Sequence, residues 1–290
     1  MNLKLKKILL RARRFFQTEE CSWNNADREL QQRLQNPLYL EQFGYKVFSQ
    51  NDEDGIIEEI FNRIGITNKK FVEFGVGDGL ECNGHFLLHK GFSGLWMEGG
   101  RKSCNTIRKA FKAPLESKQL ALVNTFITAE NINELISGNF ASGEIDLLSI
   151  DIDGNDYHVW KAIKCVSPRV VVIEYNATFP PTYEWVMPYN AGHCWNGGTL
   201  EGSDGFGASL KSLELLGDTL GYRLVGTNLN GINAFFVRKD LAKDLFVSPP
   251  SAEKLYNPSR YNIVFRNRFI SKVYTGVAIN TAETGSGKDS

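Results

Sequence analysis

The chain has 290 residues and is 42% hydrophobic, enough to bury a sizeable core in one elaborated domain. Its 33 Lys and Arg balance 33 Asp and Glu, which argues against a general electrostatic footprint for nucleic acid. The five cysteines include no C-x-x-C pair, so neither a zinc site nor a disulfide framework is indicated; no run approaches the ~20 apolar residues of a membrane span, and a reducing cytoplasm is the expected setting.

The first sixteen residues interleave Lys4, Lys6, Lys7, Arg11, Arg13 and Arg14 with Leu5, Ile8, Leu9, Ala12, Phe15 and Phe16. At helical spacing this is a basic amphipathic arm, suited to an anionic membrane surface or a partner, or else a self-packed terminal helix. The arm is expected to run to residue 44, followed by a globular domain over 45–240, an extension over 241–274 and a disordered Gly/Ser/Thr-rich tail over 275–290.

Within the domain, strand-like and helix-like runs alternate. A helix over 54–64 precedes a strand over 70–75. Helix 81–90, strand 94–98, helix 101–113, strand 120–127 and helix 129–136 follow. A fourth strand over 145–153, helix 155–163 and strand 169–175 come next. A loop of about thirty residues, long enough to be functional, leads to helix 208–220. Strands 222–228 and 233–237, joined at Asn230-Gly231, close the set. This pattern predicts an α/β fold: a doubly wound, mostly parallel, seven-stranded sheet covered on both faces.

The richest local signal is the strand ending Phe71-Val72-Glu73-Phe74 and continuing Gly75-Val76-Gly77-Asp78-Gly79. Glycines tolerate positive φ and let backbone N–H groups approach a nucleotide-like ligand. The dinucleotide fingerprint needs its third glycine at Leu80, so the spacing disfavours NAD. Glu73 at the strand end can receive a cationic amino group, which NAD lacks and S-adenosylmethionine carries. Glu98 ends the second strand about twenty residues past Gly77, where a carboxylate accepts both hydroxyls of a ribose.

Asp151, Asp153 and Asp156 crowd the end of the fourth strand, and Glu174 and Asn176 end the fifth. Such carboxylates repel one another unless protonated, hydrogen-bonded or bridged by a cation. Asp151 or Asp153 with Glu174 and Asn176 makes a hard, all-oxygen site for magnesium or manganese. The same residues also read as a turn and a helix N-cap. His85 and His89 read as helix surface, and His158 as structural. In the long loop, His193 is placed to take a proton, and Tyr183, Trp185, Tyr189 and Trp195, with Gly192, Gly197 and Gly198, suit a mobile aromatic cover.

Over residues 45–240 these motifs resemble the class I S-adenosylmethionine-dependent methyltransferases, whose first motif reads acid-x-Gly-x-Gly-x-Gly, and within them the FkbM-like sugar O-methyltransferases. The resemblance implies that Glu73, Gly75, Gly77, Gly79, Glu98 and Asp151 hold the cofactor, that Gln50 folds over its carboxylate end, and that the turn at Phe126 meets the adenine, although Phe126 also suits the core. It implies Asp151, Asp153, Glu174 and Asn176 as metal ligands, and Asp151 and Asp153, with His193 of the long loop, are the candidate catalytic residues. Glu174-Tyr175-Asn176 departs from the adjacent Asp-Asn of the commonest metal-dependent pattern. The activity implied is O-methylation of a sugar hydroxyl in surface polysaccharide synthesis, in the cytoplasm or at the inner membrane face, with no nucleic-acid partner. The rivals are a non-catalytic scaffold of a membrane-associated glycan assembly and a dinucleotide-dependent oxidoreductase.

Overall fold

The computed structural model describes residues 29–140, 142–193 and 206–260. Seven strands form one sheet: β1 (Lys70–Phe74), β2 (Ser93–Glu98), β3 (Leu120–Asn124), β4 (Gly143–Ile150), β5 (Val166–Glu174), β6 (Tyr222–Thr227) and β7 (Asn233–Arg238). Their order is β3-β2-β1-β4-β5-β7-β6, and β7 alone runs opposite to the other six. This is the class I methyltransferase fold that the motif resemblance implies.

The central strands are largely apolar because both faces are covered, with Glu73 in β1 and Asp146 and Ser149 in β4 as buried polar exceptions. Successive residues point to opposite layers: Val72, Leu148 and Val171 enter one core, Phe71, Leu147 and Val172 the other. The second core is roofed by α1 (Glu53–Ile64), α2 (Asn83–His89) and α3 (Arg101–Ala110). Across the sheet lie α5 (Ile132–Asn139), α6 (Asp156–Ala162) and α7 (Leu210–Thr219). The short α4 (Lys112–Glu116) follows α3 after a break at Phe111, whose ring packs edge-on against Trp96 at 4.7 Å. Helix 101–113 is therefore two helices.

Two strands end earlier than expected. β3 stops at Asn124, and Thr125 turns its N–H onto the Glu98 carbonyl at 3.0 Å. β4 stops at Ile150, and Asp153 takes a φ of 55°, so the acids beyond it stand in a loop above the sheet.

The packed domain also exceeds 45–240. Leu40 is buried among Ile56, Val225 and Phe235, Arg33 pairs with Glu41, and Tyr175 donates to the Asn257 carbonyl at 2.5 Å. Short helices α8 (Lys239–Ala242) and α9 (Ala252–Leu255) belong to the same body. The arm over 1–16, Trp195, Gly197, Gly198 and the tail over 275–290 lie outside the described residues. Among the described residues no helix is long and apolar enough to cross a membrane.

At the amino edge of the sheet, Asp146 is wholly buried within β4. Its carboxylate accepts the N–H groups of Thr67, Asn68 and Lys69 at 2.9, 2.9 and 2.6 Å, and Arg169 Nε lies 3.3 Å away. One side chain thus anchors the approach to β1. Asp146→Ala strands those donors and is expected to cost about 3–5 kcal/mol in urea unfolding; a cost below about 1 kcal/mol would contradict this role.

Candidate functional site

Gly75, Gly77 and Gly79 have φ values of 77°, 56° and 78°, each for a different reason. A Cβ at Gly75 would overlap the Asp151 carbonyl oxygen. At Gly79 it would lie 2.9 Å from the Trp96 ring. At Gly77 it would meet no described atom within 4 Å, so this part of the turn faces open space. The Gly77 N–H donates to one oxygen of Glu98 at 3.0 Å, and the Gly100 N–H to the other at 2.6 Å. Phe126 lies beside them, 65% exposed, its ring 2.6 Å from where a Cβ on Gly99 would stand. That exposure rules out the core reading of Phe126. Glycine turn, acid and exposed ring line up across the tips of β1, β2 and β3.

Glu73 is built for another task than receiving a cationic group. It is buried, accepting the Asn83 and Gly84 N–H groups at 2.8 Å each and the Trp96 indole N–H at 3.0 Å. Burial raises its pKa, and the bonds from Gly84 and Asn83 oppose the rise. The free N–H groups at the start of α2 draw the carboxylate inward, and it fixes helix to turn.

Gln50 is exposed in a strap that crosses beside the turn. Its carbonyl accepts from Lys46 Nζ at 3.1 Å, and the same ammonium pairs with Glu81 at 2.7 Å. Asp54 holds the strap by accepting the N–H groups of Val47, Phe48 and Ser49 at 2.7–2.8 Å. The Phe48 ring stacks on His85 at 3.9 Å, so His85 is buried beneath the strap rather than on the helix surface.

Asp151, Asp153 and Glu174 converge at the tips of β4 and β5. One oxygen from each lies within 4.8 Å of the others. Burial raises the Asp151 and Glu174 carboxyls well above the ordinary range, and repulsion among these acids and Asp156 raises them further. Asp153 is raised by burial, with His193 pulling the other way. Glu174 Oε2 is buried and has no hydrogen-bond partner among the described residues. Such a group can take a proton from a hydroxyl or share a cation.

Two neighbours make hydrogen bonds of their own. Asp156 accepts the Ile152 and Gly154 N–H groups at 2.8 Å each and caps its own loop. Asn176 is buried with its oxygen on the Thr178 N–H at 3.0 Å and its Nδ2 on the Phe206 carbonyl at 3.1 Å. The Asn176 amide thereby ties down the loop after β5. His193, by contrast, reaches the cluster from forty residues away, its Nε2 lying 3.1 Å from the Asp153 carbonyl oxygen.

The long loop walls the site. Tyr189 donates to Glu130 at 2.5 Å, and Asn155 Nδ2 donates to the Asn190 carbonyl at 2.7 Å, clasping the loop between the tips of β3 and β4. Before it, Phe179 stacks with Tyr183 at 5.8 Å and with Trp185 at 4.6 Å. Sequence reasoning missed Glu53, which is fully buried and accepts the side-chain amides of Asn228 and Asn233 at 3.0 Å each. The polar run 49–54 was its only local trace.

No family model matches the chain, and no curated protein matches it. Solved structures do. A conserved hypothetical protein from Streptococcus pyogenes is 16% identical, covering 63% of this chain and 95% of its own, with a TM-score of 0.38. An O-methyltransferase from Bacillus cereus in complex with SAH is 16% identical over 52% of this chain and 65% of its own, with a TM-score of 0.35. The N-terminal domain of EvdMO1 with SAH bound is 13% identical over 72% and 94%, with a TM-score of 0.39. The strand order, rather than these distant likenesses, carries the fold.

Asp52, beside Glu53, yields a pH test. Burial and the Glu53 charge raise its carboxyl to about 6. The native state therefore keeps a proton between about pH 4 and 6 that the unfolded chain has released, and stability falls as pH rises through that window. Asp52→Asn is expected to stabilise the protein at pH 7 by up to about 3 kcal/mol and to flatten the pH dependence of the melting temperature. A slope identical to that of the parent protein would show that Asp52 is not the titrating group.

Proposed function

We propose that the chain is an S-adenosylmethionine-dependent O-methyltransferase. The observation that carries this reading is the open Gly77 turn, set between Glu98 and the exposed Phe126, with three clustered carboxyls on the neighbouring strand tips. When bound, the cofactor supplies a sulfonium methyl group for in-line displacement. Glu98 binds the ribose hydroxyls, Phe126 lies against the adenine, and Gly77 leaves room for the amino-acid end, with Gln50 above it. Glu73 acts behind them by holding α2 and the turn in place.

Asp151, Asp153 and Glu174 fit a magnesium or manganese ion, since three mutually repelling carboxylates, with Glu174 Oε2 buried and unpartnered among the described residues, are what a hard cation neutralises. Such an ion would lower the pKa of an acceptor hydroxyl and orient it. His193, held at Nε2 by the Asp153 carbonyl, keeps Nδ1 to take the proton. The acceptor is a sugar hydroxyl of a surface polysaccharide precursor, handled in the cytoplasm or at the inner membrane face. The motif resemblance supports this choice, and so does the stack of Phe179, Tyr183 and Trp185, which suits the C–H face of a sugar ring.

Calorimetry with S-adenosylhomocysteine tests the reading. The parent chain should bind, whereas Gly77→Asn should weaken binding about 100-fold or more, because Asn accepts positive φ yet fills the open face. Its melting temperature should stay within a few degrees of the parent's, about 1 kcal/mol. Tight NADH binding with none of S-adenosylhomocysteine would replace this function with an oxidoreductase.

Glu174→Gln separates chemistry from folding. It takes one acid out of a mutually repelling cluster, so the variant should melt no lower than the parent. Methyl transfer, and its recovery by magnesium after chelation, should fall roughly tenfold or more. Activity indifferent to both EDTA and this substitution would remove the ion from the mechanism.

A further inference from the structure

A chain of zero net charge carries one face whose cations, among the described residues, meet a single acid. The stretch after Gly100 folds as α3 and α4 and buries only Cys104, Ile107 and Phe111 fully. Arg101, Lys102, Arg108 and Lys109 recur at seven- and eight-residue spacing, and Lys112 stands four residues past Arg108. Helical periodicity within α3 puts Arg101, Lys102, Arg108 and Lys109 on the side away from the core, Lys112 opens α4 just past the break, and all five are exposed.

Almost nothing offsets them. Glu116 is the stretch's only acid; it sits 3.7 Å from Lys112, with both side chains well exposed, a pair worth little. Arg108 donates to the neutral Asn105 amide oxygen at 3.1 Å. Among the described residues Arg101, Lys102, Arg108 and Lys109 have no ion-pair partner. Like charges on one helix face repel, so the arrangement weakens the isolated protein.

We propose that this face docks on a bilayer rich in anionic headgroups. Ser103, Asn105, Thr106 and Ala110 lie between the cations, and none offers a ring on which a nucleic-acid base could stack. A row of cations on one side of a convex helix matches a plane of phosphates, where each Lys or Arg is worth roughly fivefold in partitioning. In sequence, residues 1–16 add a second basic element with apolar side chains for the headgroup boundary. Because α3 starts just after Glu98, the docked face adjoins the rim of the candidate site.

The test uses the full chain and vesicles of phosphatidylcholine, alone or with about one third phosphatidylglycerol. The parent should sediment with the anionic vesicles only and be released in about 1 M salt, where screening is complete within about 3 Å. Lys102→Glu/Arg108→Glu/Lys109→Glu should bind roughly 100-fold more weakly or worse, while Lys102→Arg/Arg108→Lys/Lys109→Arg binds like the parent. Both should melt like the parent and bind S-adenosylhomocysteine equally, since none of these residues touches the site. Equal vesicle binding by the charge-reversed variant overturns the proposal. So does a parent that binds no vesicle, or one that prefers a short RNA duplex.

Discussion

The close approach of Gly75 to the Asp151 carbonyl is the constraint on which the rest of the site depends. β1 and β4 are parallel neighbours in register at Phe74 and Ile150, and the Asp151 N–H continues the ladder to the Phe74 carbonyl at 3.3 Å. From the other side the Gly75 N–H donates to Met97 of β2 at 3.0 Å. The turn is therefore gripped between two strands by backbone bonds. Any side chain at position 75 would part it from the loop that carries the acids, so the spacing between Gly77 and Asp151 is a property of the sheet itself.

Carboxylates of one chemical kind have different fates according to their partners. Asp146, Glu53, Glu73 and Asp156 are buried with several donors each, and they hold loops, helix starts and the hairpin in place. Asp151 and Glu174 lie close together with raised pKa values, and one Glu174 oxygen is left without a partner. The first group pays for burial with hydrogen bonds. The second keeps its need for a proton or a cation.

The two edges of the sheet divide the labour accordingly. At the amino edge, Asp146 and Arg169 lock the strands' beginnings together. At the carboxyl edge, side chains from the strap, the glycine turn, β2, β4, β5 and the long loop meet over the tips. Tyr189 and Asn190 carry that loop across to Glu130 and Asn155, so the wall between the carboxyl cluster and Phe126 is built by contacts spanning 35 residues or more.

Local chemistry made much of this legible in the sequence. Strand runs, helical spacing and the hairpin at Asn230-Gly231 are short-range patterns, and they determined the seven-stranded sheet. Glycine spacing and the acid at Glu98 determined the turn and its partner, since both follow from how a chain leaves a parallel strand. Other assignments needed tertiary structure. Glu73 turns inward because α2 begins ten residues later with unpaired N–H groups, and Phe126 is exposed because β3 ends early against Glu98. Asn176 is claimed by a carbonyl thirty residues away, and Glu53 by a hairpin 175 residues away. A sequence specifies which groups can bond; only folding decides which donor reaches a carboxylate first, because a hydrogen bond acts over about 3 Å while the chain that brings its partners together is far longer.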